Sequence, residues 1–176
     1  MMDSAEPDQD IIIRISQSFE EIDFSLPRLK KLVKTTCKRF SKNTSPEDKK
    51  YEISIAIVDD AEFRELNSRY LGRKSTSDCL SFDLSDEKSG SLKLFEIVVN
   101  GEVAVKQANL RGHRPEAELT LYVTHGLLHN FGLDDSTEEE SKKMHDIEDE
   151  ILQQLGYGIV YNKNPSAREY KAQKNK

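Results

Sequence analysis

A chain of 176 residues is long enough to enclose a core and short enough to form one domain. With 36% hydrophobic and 33% charged residues, it is too rich in apolar clusters for a disordered chain, and no apolar run approaches the ~20 residues of a membrane helix. A net charge of -6 argues against nucleic acid only as a sum, because residues 28 to 50 carry nine Lys or Arg against two acids, Glu47 and Asp48.

In chain order, Met1 to Asp10 reads as a disordered acidic leader without the basic start and apolar run of a signal peptide. Ile11-Ile12-Ile13-Arg14-Ile15 is a β-branched run and the first predicted strand. Ser25 caps a helix with Pro27 in its first turn, and Leu26, Leu29, Leu32 or Val33, Cys37 and Phe40 recur at helical spacing. Its opposite face carries Lys30, Lys34 and Lys38, which is either a solvated surface or an RNA-contacting stripe.

After a polar loop, Tyr51, Ile53, Ile55 and Ile57 alternate with polar or small residues as a strand. Asp59 or Asp60 caps the next helix, whose Phe63, Leu66 and Tyr70 share a face before Gly72 stops it. Residues 79 to 84 and 94 to 99 read as an antiparallel pair with a long loop. A short helix over 102 to 110 ends near Gly112, and Pro115 opens a longer one running through Phe131. Ser136 and Glu139 have capping-box spacing before a last helix with Met144, Ile147, Ile151 and Leu155 on one face, ended by Gly156. Residues 159 to 176 read as a basic mobile tail, leaving 11 to 158 as the domain.

Two of the four histidines, His125 and His129, stand four apart on the predicted helix, so both imidazoles leave one face a turn apart and can grip one metal ion. Gly132 can end that helix in the left-handed conformation and bring back Asp134 or Asp135 as a third donor. Three protein ligands leave a fourth position open for water, whose pKa a bound zinc lowers towards ~7. A metallopeptidase would carry a general-base Glu directly after the first His, where this chain has Gly126; Glu96 is the distant substitute. Gly126 costs ~1 kcal/mol against Ala inside a helix, which points to a close approach by backbone or ligand. His113 and His145 read as surface histidines, and Cys37 and Cys79 as buried free thiols that suit a reducing cytosol.

The stretch His125-Gly126-Leu127-Leu128-His129-x-x-Gly132-x-Asp134 resembles the signature of the YbeY family of bacterial endoribonucleases, His-Gly-x-Leu-His-x-x-Gly-x-Asp-His. The likeness continues upstream through Asp59-Asp60, Glu65-Leu66-Asn67, Tyr70 and Asp78-Cys79-Leu80-Ser81-Phe82, and through Glu96-Ile97-Val98-Val99, over roughly residues 11 to 158. It implies an α/β (α+β) single domain: a small mixed β-sheet of about four strands surrounded by helices, with a zincin-like metal helix. It also implies one Zn2+ ion per chain, and a cytoplasmic role in rRNA maturation and ribosome quality control. Its partners would be single-stranded RNA, an rRNA precursor, and the small ribosomal subunit with its assembly factors.

Carried onto this sequence, the signature places Asp135 where the family has its third ligand His, so the implied metal set is His125, His129 and Asp135, with Asp134 and Gly126 supporting. The expected catalytic residues are His125, His129 and Arg73, the last as a residue that could reach the space of the family's Arg without matching its position. The expected RNA-binding residues are Lys30, Lys34, Lys38, Arg69, Arg73 and Lys74. Where the family usually has an Arg after the Tyr, this chain has Leu71. A zinc metallopeptidase and a non-catalytic RNA-binding ribosome-assembly factor are the alternative readings.

Overall fold

The computed structural model describes residues 11–41, 50–86, 88 and 90–163. The predicted leader, residues 164–176 of the predicted tail, and Lys42 and Lys49 of the basic stretch lie outside them.

A four-stranded mixed sheet organises the chain in the order β1-β2-β4-β3. Strands β1 (Ile11–Gln17), β2 (Lys50–Val58) and β4 (Leu92–Asn100) run parallel, and β3 (Cys79–Asp83) pairs antiparallel with β4 at the edge. Parallel neighbours need crossovers, which helices α1 (Leu26–Ser41) and α2 (Asp60–Leu71) supply. The remaining helices are α3 (Gly101–Arg111), α4 (Pro115–Asn130) and α5 (Glu138–Gln154).

Alternation along β2 puts Ile53, Ile55 and Ile57 on one face, where they join Ile97 and Val99 against Leu29, Leu32, Val33 and Cys37 of α1 and Leu119, Val123 and Leu127 of α4. The opposite face carries a smaller cluster in which Val58, Leu80 and Val98 meet Phe63 of α2. At about 1.5–3 kcal/mol per buried aliphatic side chain, the first cluster supplies most of the burial. Helix α4 is buried on nearly all sides, as its apolar composition requires. Its Gly126 answers the close approach expected there: an added Cβ would lie 3.0 Å from Ile97 Cγ2 and 3.5 Å from Ser81 Cβ.

The stops are as expected. Asp59 caps α2 through the Glu62 N–H, and Gly72 and Gly112 close α2 and α3 with φ of 65° and 69°. The last helix starts one residue later than the sequence suggests. Thr137 is its cap, with Glu140 completing the capping box, because the Ser136 hydroxyl is taken by Asp134 and Glu140 instead.

The start of the predicted tail is docked. Val160 is 1% exposed, and Asp149 gathers the N–H groups of Val160, Tyr161 and Asn162 together with the Asn162 amide nitrogen. A buried Arg111, bonded to Glu118 and to the Tyr161 carbonyl, holds the same segment. These anchors are 11 to 50 residues away in sequence, so composition could not reveal them. Among the described residues, no helix is long and apolar enough to cross a membrane.

Candidate metal centre

The last turn of α4 presents His125 and His129 side by side, their Nε2 atoms 3.0 Å apart and their rings nearly perpendicular at 85°. Phe131 ends the helix and Gly132, at φ +92°, reverses the chain, with its N–H on the His129 carbonyl and the Leu133 N–H on that of Leu128. Leu133 packs against the core, which fixes where the chain re-emerges.

The two carboxylates after Leu133 then take different roles. Asp134 folds onto its own loop, accepting from the Asp135 N–H at 2.8 Å and the Ser136 hydroxyl at 2.7 Å, bonds that hold its carboxyl below the usual range. Asp135 is thereby turned inward, with one oxygen 3.5 Å from His125 Nε2 and the other 3.5 Å from His129 Nε2.

Two imidazole nitrogens and a carboxylate oxygen are a zinc-type donor set, and ligands ~2.1 Å from a tetrahedral ion stand ~3.4 Å from one another. Separations of 3.0 and 3.5 Å come near that spacing, so the three groups are close enough to share one ion. The surrounding field also favours a cation: burial pulls the His125 pKa down, but Glu148 above all, with Asp78 and Asp135, pushes it up to about 9. The negative charge that would retain a proton there is equally able to stabilise a metal ion.

His125 and His129 line a cleft of about 700 Å³ beside the edge strand β3, together with Leu71, Arg73 and Phe82 among others. A likeness to known proteins joins this geometry. The model of the family described as endoribonuclease YbeY matches residues 14–156.

The chain belongs to the YbeY family. It is 37% identical over 136 residues to the endoribonuclease YbeY of Thermodesulfovibrio yellowstonii, an alignment covering 74% of this chain and 86% of that one. To the endoribonuclease YbeY of Caldicellulosiruptor saccharolyticus it is 33% identical over 158 residues, covering 83% of this chain and 97% of that one. The fold is shared with the solution structure of a Thermotoga maritima protein, at a TM-score of 0.52 and 23% identity over 81% of this chain and 91% of that one.

In this YbeY-family chain the structure brings together only some of the predicted site residues. Arg73 lines the cleft with the histidines, and so does Leu71. Lys74 and Arg69 are exposed nearby in sequence, but Arg69 pairs with Glu65 at 2.9 Å. Lys30, Lys34 and Lys38 lie on the outer face of α1 and are not among the described residues lining the cleft.

Two functional candidates escaped the sequence. Glu148 of α5 is fully buried and lies 2.6 Å from His125 Nδ1. His145, read as a surface residue, is 14% exposed, lies 2.7 Å from the other Glu148 oxygen, and stacks on Tyr161 with ring centroids 3.4 Å apart. The other supposed surface histidine, His113, is 8% exposed and bonded to Glu118. The available signal was the spacing of His145 and Glu148, which puts both on one face of α5. That face also carries Met144 and Ile151, so it read as core.

Proposed function

We propose that this chain is a zinc-dependent endoribonuclease that cuts single-stranded RNA in rRNA maturation and ribosome quality control, acting in the cytoplasm on precursor rRNA of the small subunit. The observation that carries the reading is the convergence of His125 Nε2, His129 Nε2 and the Asp135 carboxylate within 3.5 Å at a cleft, in a chain whose named relatives are endoribonucleases.

His125, His129 and Asp135 would hold the ion. Zinc in that position supplies Lewis acidity, offsetting charge on a phosphate oxygen and making a water more acidic. The departure of this chain from the family signature matters here. Asp135 brings a negative charge where the signature has a neutral imidazole, which lowers the effective charge of the set and leaves the water less acidic than three histidines would. Arg73, exposed on the cleft wall, supplies the guanidinium that neutralises the RNA backbone, a role the apolar Leu71 cannot take. Lys30, Lys34, Lys38, Arg69 and Lys74 extend the basic surface outside the cleft.

Phosphodiester cleavage needs charge stabilisation more than a protein nucleophile, which suits this donor set. A zinc metallopeptidase would need a general-base Glu; position 126 is Gly, Glu96 is exposed on β4, and no Glu is among the described residues lining the cleft. Leu71 in the cleft favours one second reading, a ribosome-assembly factor that binds RNA without turnover. The deciding measurement is zinc content and cleavage of a precursor rRNA by the wild type, by Asp135→Ala, and by the wild type with chelator. Metal-dependent cleavage lost in Asp135→Ala is the expected result. RNA binding without cleavage, indifferent to chelator, would establish the assembly factor instead.

A further inference from the structure

Burying an ionised carboxylate is costly unless every oxygen is hydrogen-bonded, so Glu148 needs a reason to be where it is. It is fully buried on α5, and each of its oxygens meets a different imidazole: His125 Nδ1 at 2.6 Å and His145 Nδ1 at 2.7 Å. A carboxylate oxygen accepts from a ring N–H, so these two short contacts put a proton on Nδ1 of each ring.

For His125 the consequence appears at the far side of the ring. In the neutral ring, the form that can ligate, a proton on Nδ1 leaves the lone pair on Nε2, the atom that faces His129 and Asp135. His145 has no contact with Asp135 of this kind. Its ring lies 3.4 Å from that of Tyr161 at 8° and 5.9 Å from that of His125 at 13°, and the Tyr161 backbone is tied to Asp149 and Arg111. A continuous set of contacts therefore runs from the segment after α5 to the ligand ring.

We infer that Glu148 is a positioning residue, which sets His125 in the Nδ1–H form and aims its Nε2 lone pair at the metal position, and that His145, held against Tyr161, fixes Glu148 in turn. The inference rests on the metal reading of His125, His129 and Asp135. His125, His145 and Glu148 themselves also meet the distance condition for a cation. An ion there would take His125 through Nδ1 and break the hydrogen bond to Glu148, so the two arrangements exclude each other at that nitrogen.

The test uses the full chain and zinc alone, with affinity read by competition against a chromophoric chelator and the His125 tautomer read by nitrogen NMR of the zinc-bound protein. Glu148→Gln exchanges one accepting oxygen for a donating nitrogen, so it can no longer satisfy both Nδ1–H groups. Zinc affinity should fall about 10–100-fold, with the thermal melt still cooperative. His145→Asn, whose amide nitrogen can donate in place of Nδ1, should stay near the wild type, while His145→Ala falls.

Wild-type affinity and an unchanged tautomer in Glu148→Gln would overturn the inference. So would zinc kept by Asp135→Ala but lost by Glu148→Gln, which would put the ion between His125, His145 and Glu148. If Glu148→Gln does not fold, the His145 pair decides, and equal affinity in both variants overturns it. Wild-type protein that takes up no zinc overturns this inference together with the metal reading. Zinc bound as described by a chain that cuts no RNA defeats only the proposed nuclease.

Discussion

A Cβ placed on Gly126 would lie 3.0 Å from Cγ2 of Ile97, closer than neighbouring side chains tolerate without shifting. Ile97 is fully buried at the centre of the sheet and has nowhere to retreat. Two opposing effects decide the outcome of Gly126→Ala. The helix gains ~1 kcal/mol of propensity, while overpacking costs about 1–3 kcal/mol. The expected result is a net loss of about 1 kcal/mol by denaturant unfolding, together with weaker zinc binding, because the adjacent His125 moves with the backbone. A variant more stable than wild type with unchanged zinc affinity would show that the close packing is unimportant.

The Asp135 carboxylate faces both histidines, and an imidazole in its place would also offer a donor. Asp135→His should keep zinc bound, whereas Asp135→Ala leaves two ligands and should bind at least about tenfold more weakly than Asp135→His. Equilibrium dialysis followed by metal analysis separates these outcomes. Equal zinc content in the alanine and histidine variants would remove Asp135 from the ligand set.

Arg73 lines the cleft and Lys34 lies on the outer face of α1, so their removal should affect RNA differently. Arg73→Ala should flatten the dependence of log affinity on log salt by ~0.7, the share of one single-strand phosphate contact, and should also lower kcat. Lys34→Ala should leave kcat unchanged. Binding titrations at several salt concentrations, paired with single-turnover cleavage, would reveal whether the α1 face contributes more than the cleft.

Asp60 ties the arm that carries Arg73 to the sheet. Its carboxylate accepts from Thr76, from Arg64 Nε at 2.8 Å and from Asn100 Nδ2 at 2.9 Å. Burial works against ionisation, but the Thr76 hydroxyl, Arg64 and Asn100 together hold the carboxyl below its ordinary value of 3.8. A carboxyl whose folded pKa is depressed contributes stability that is present above the unfolded value and is lost as pH falls through the folded one. The stability gap between wild type and Asp60→Asn should therefore be constant near neutrality and shrink on acidification below roughly pH 4. A gap that widens on acidification would contradict the assignment.

Cys37 is fully buried among α1 core residues, and that burial pushes its thiol up to about 12. With almost no thiolate at neutral pH, it should resist alkylation in the folded chain and react only on unfolding. Mass spectrometry after timed iodoacetamide treatment checks this. Modification of Cys37 at the rate of a free thiol in the native protein would show that the core opens readily.

Local chemistry by itself determined much of this protein. Alternation in residues 51 to 57, the capping Asp59, the glycine stops and the His-x-x-x-His spacing each depend on neighbours within a few residues, so the strands, most helix ends and the histidine pair were legible. Spacing left Asp134 and Asp135 open and the family resemblance implied Asp135; in the structure Asp135 faces both histidines while Asp134 bonds its own loop. The role of Gly126 was half legible, a costly residue whose partner Ile97 is visible only once α4 lies on β4. Glu148, 23 residues beyond His125, and His145 looked like part of an amphipathic helix. Only the docking of α5 against α4 turns that face onto the His125 ring, because the periodicity of a helix tells which face is buried but not which element it is buried against.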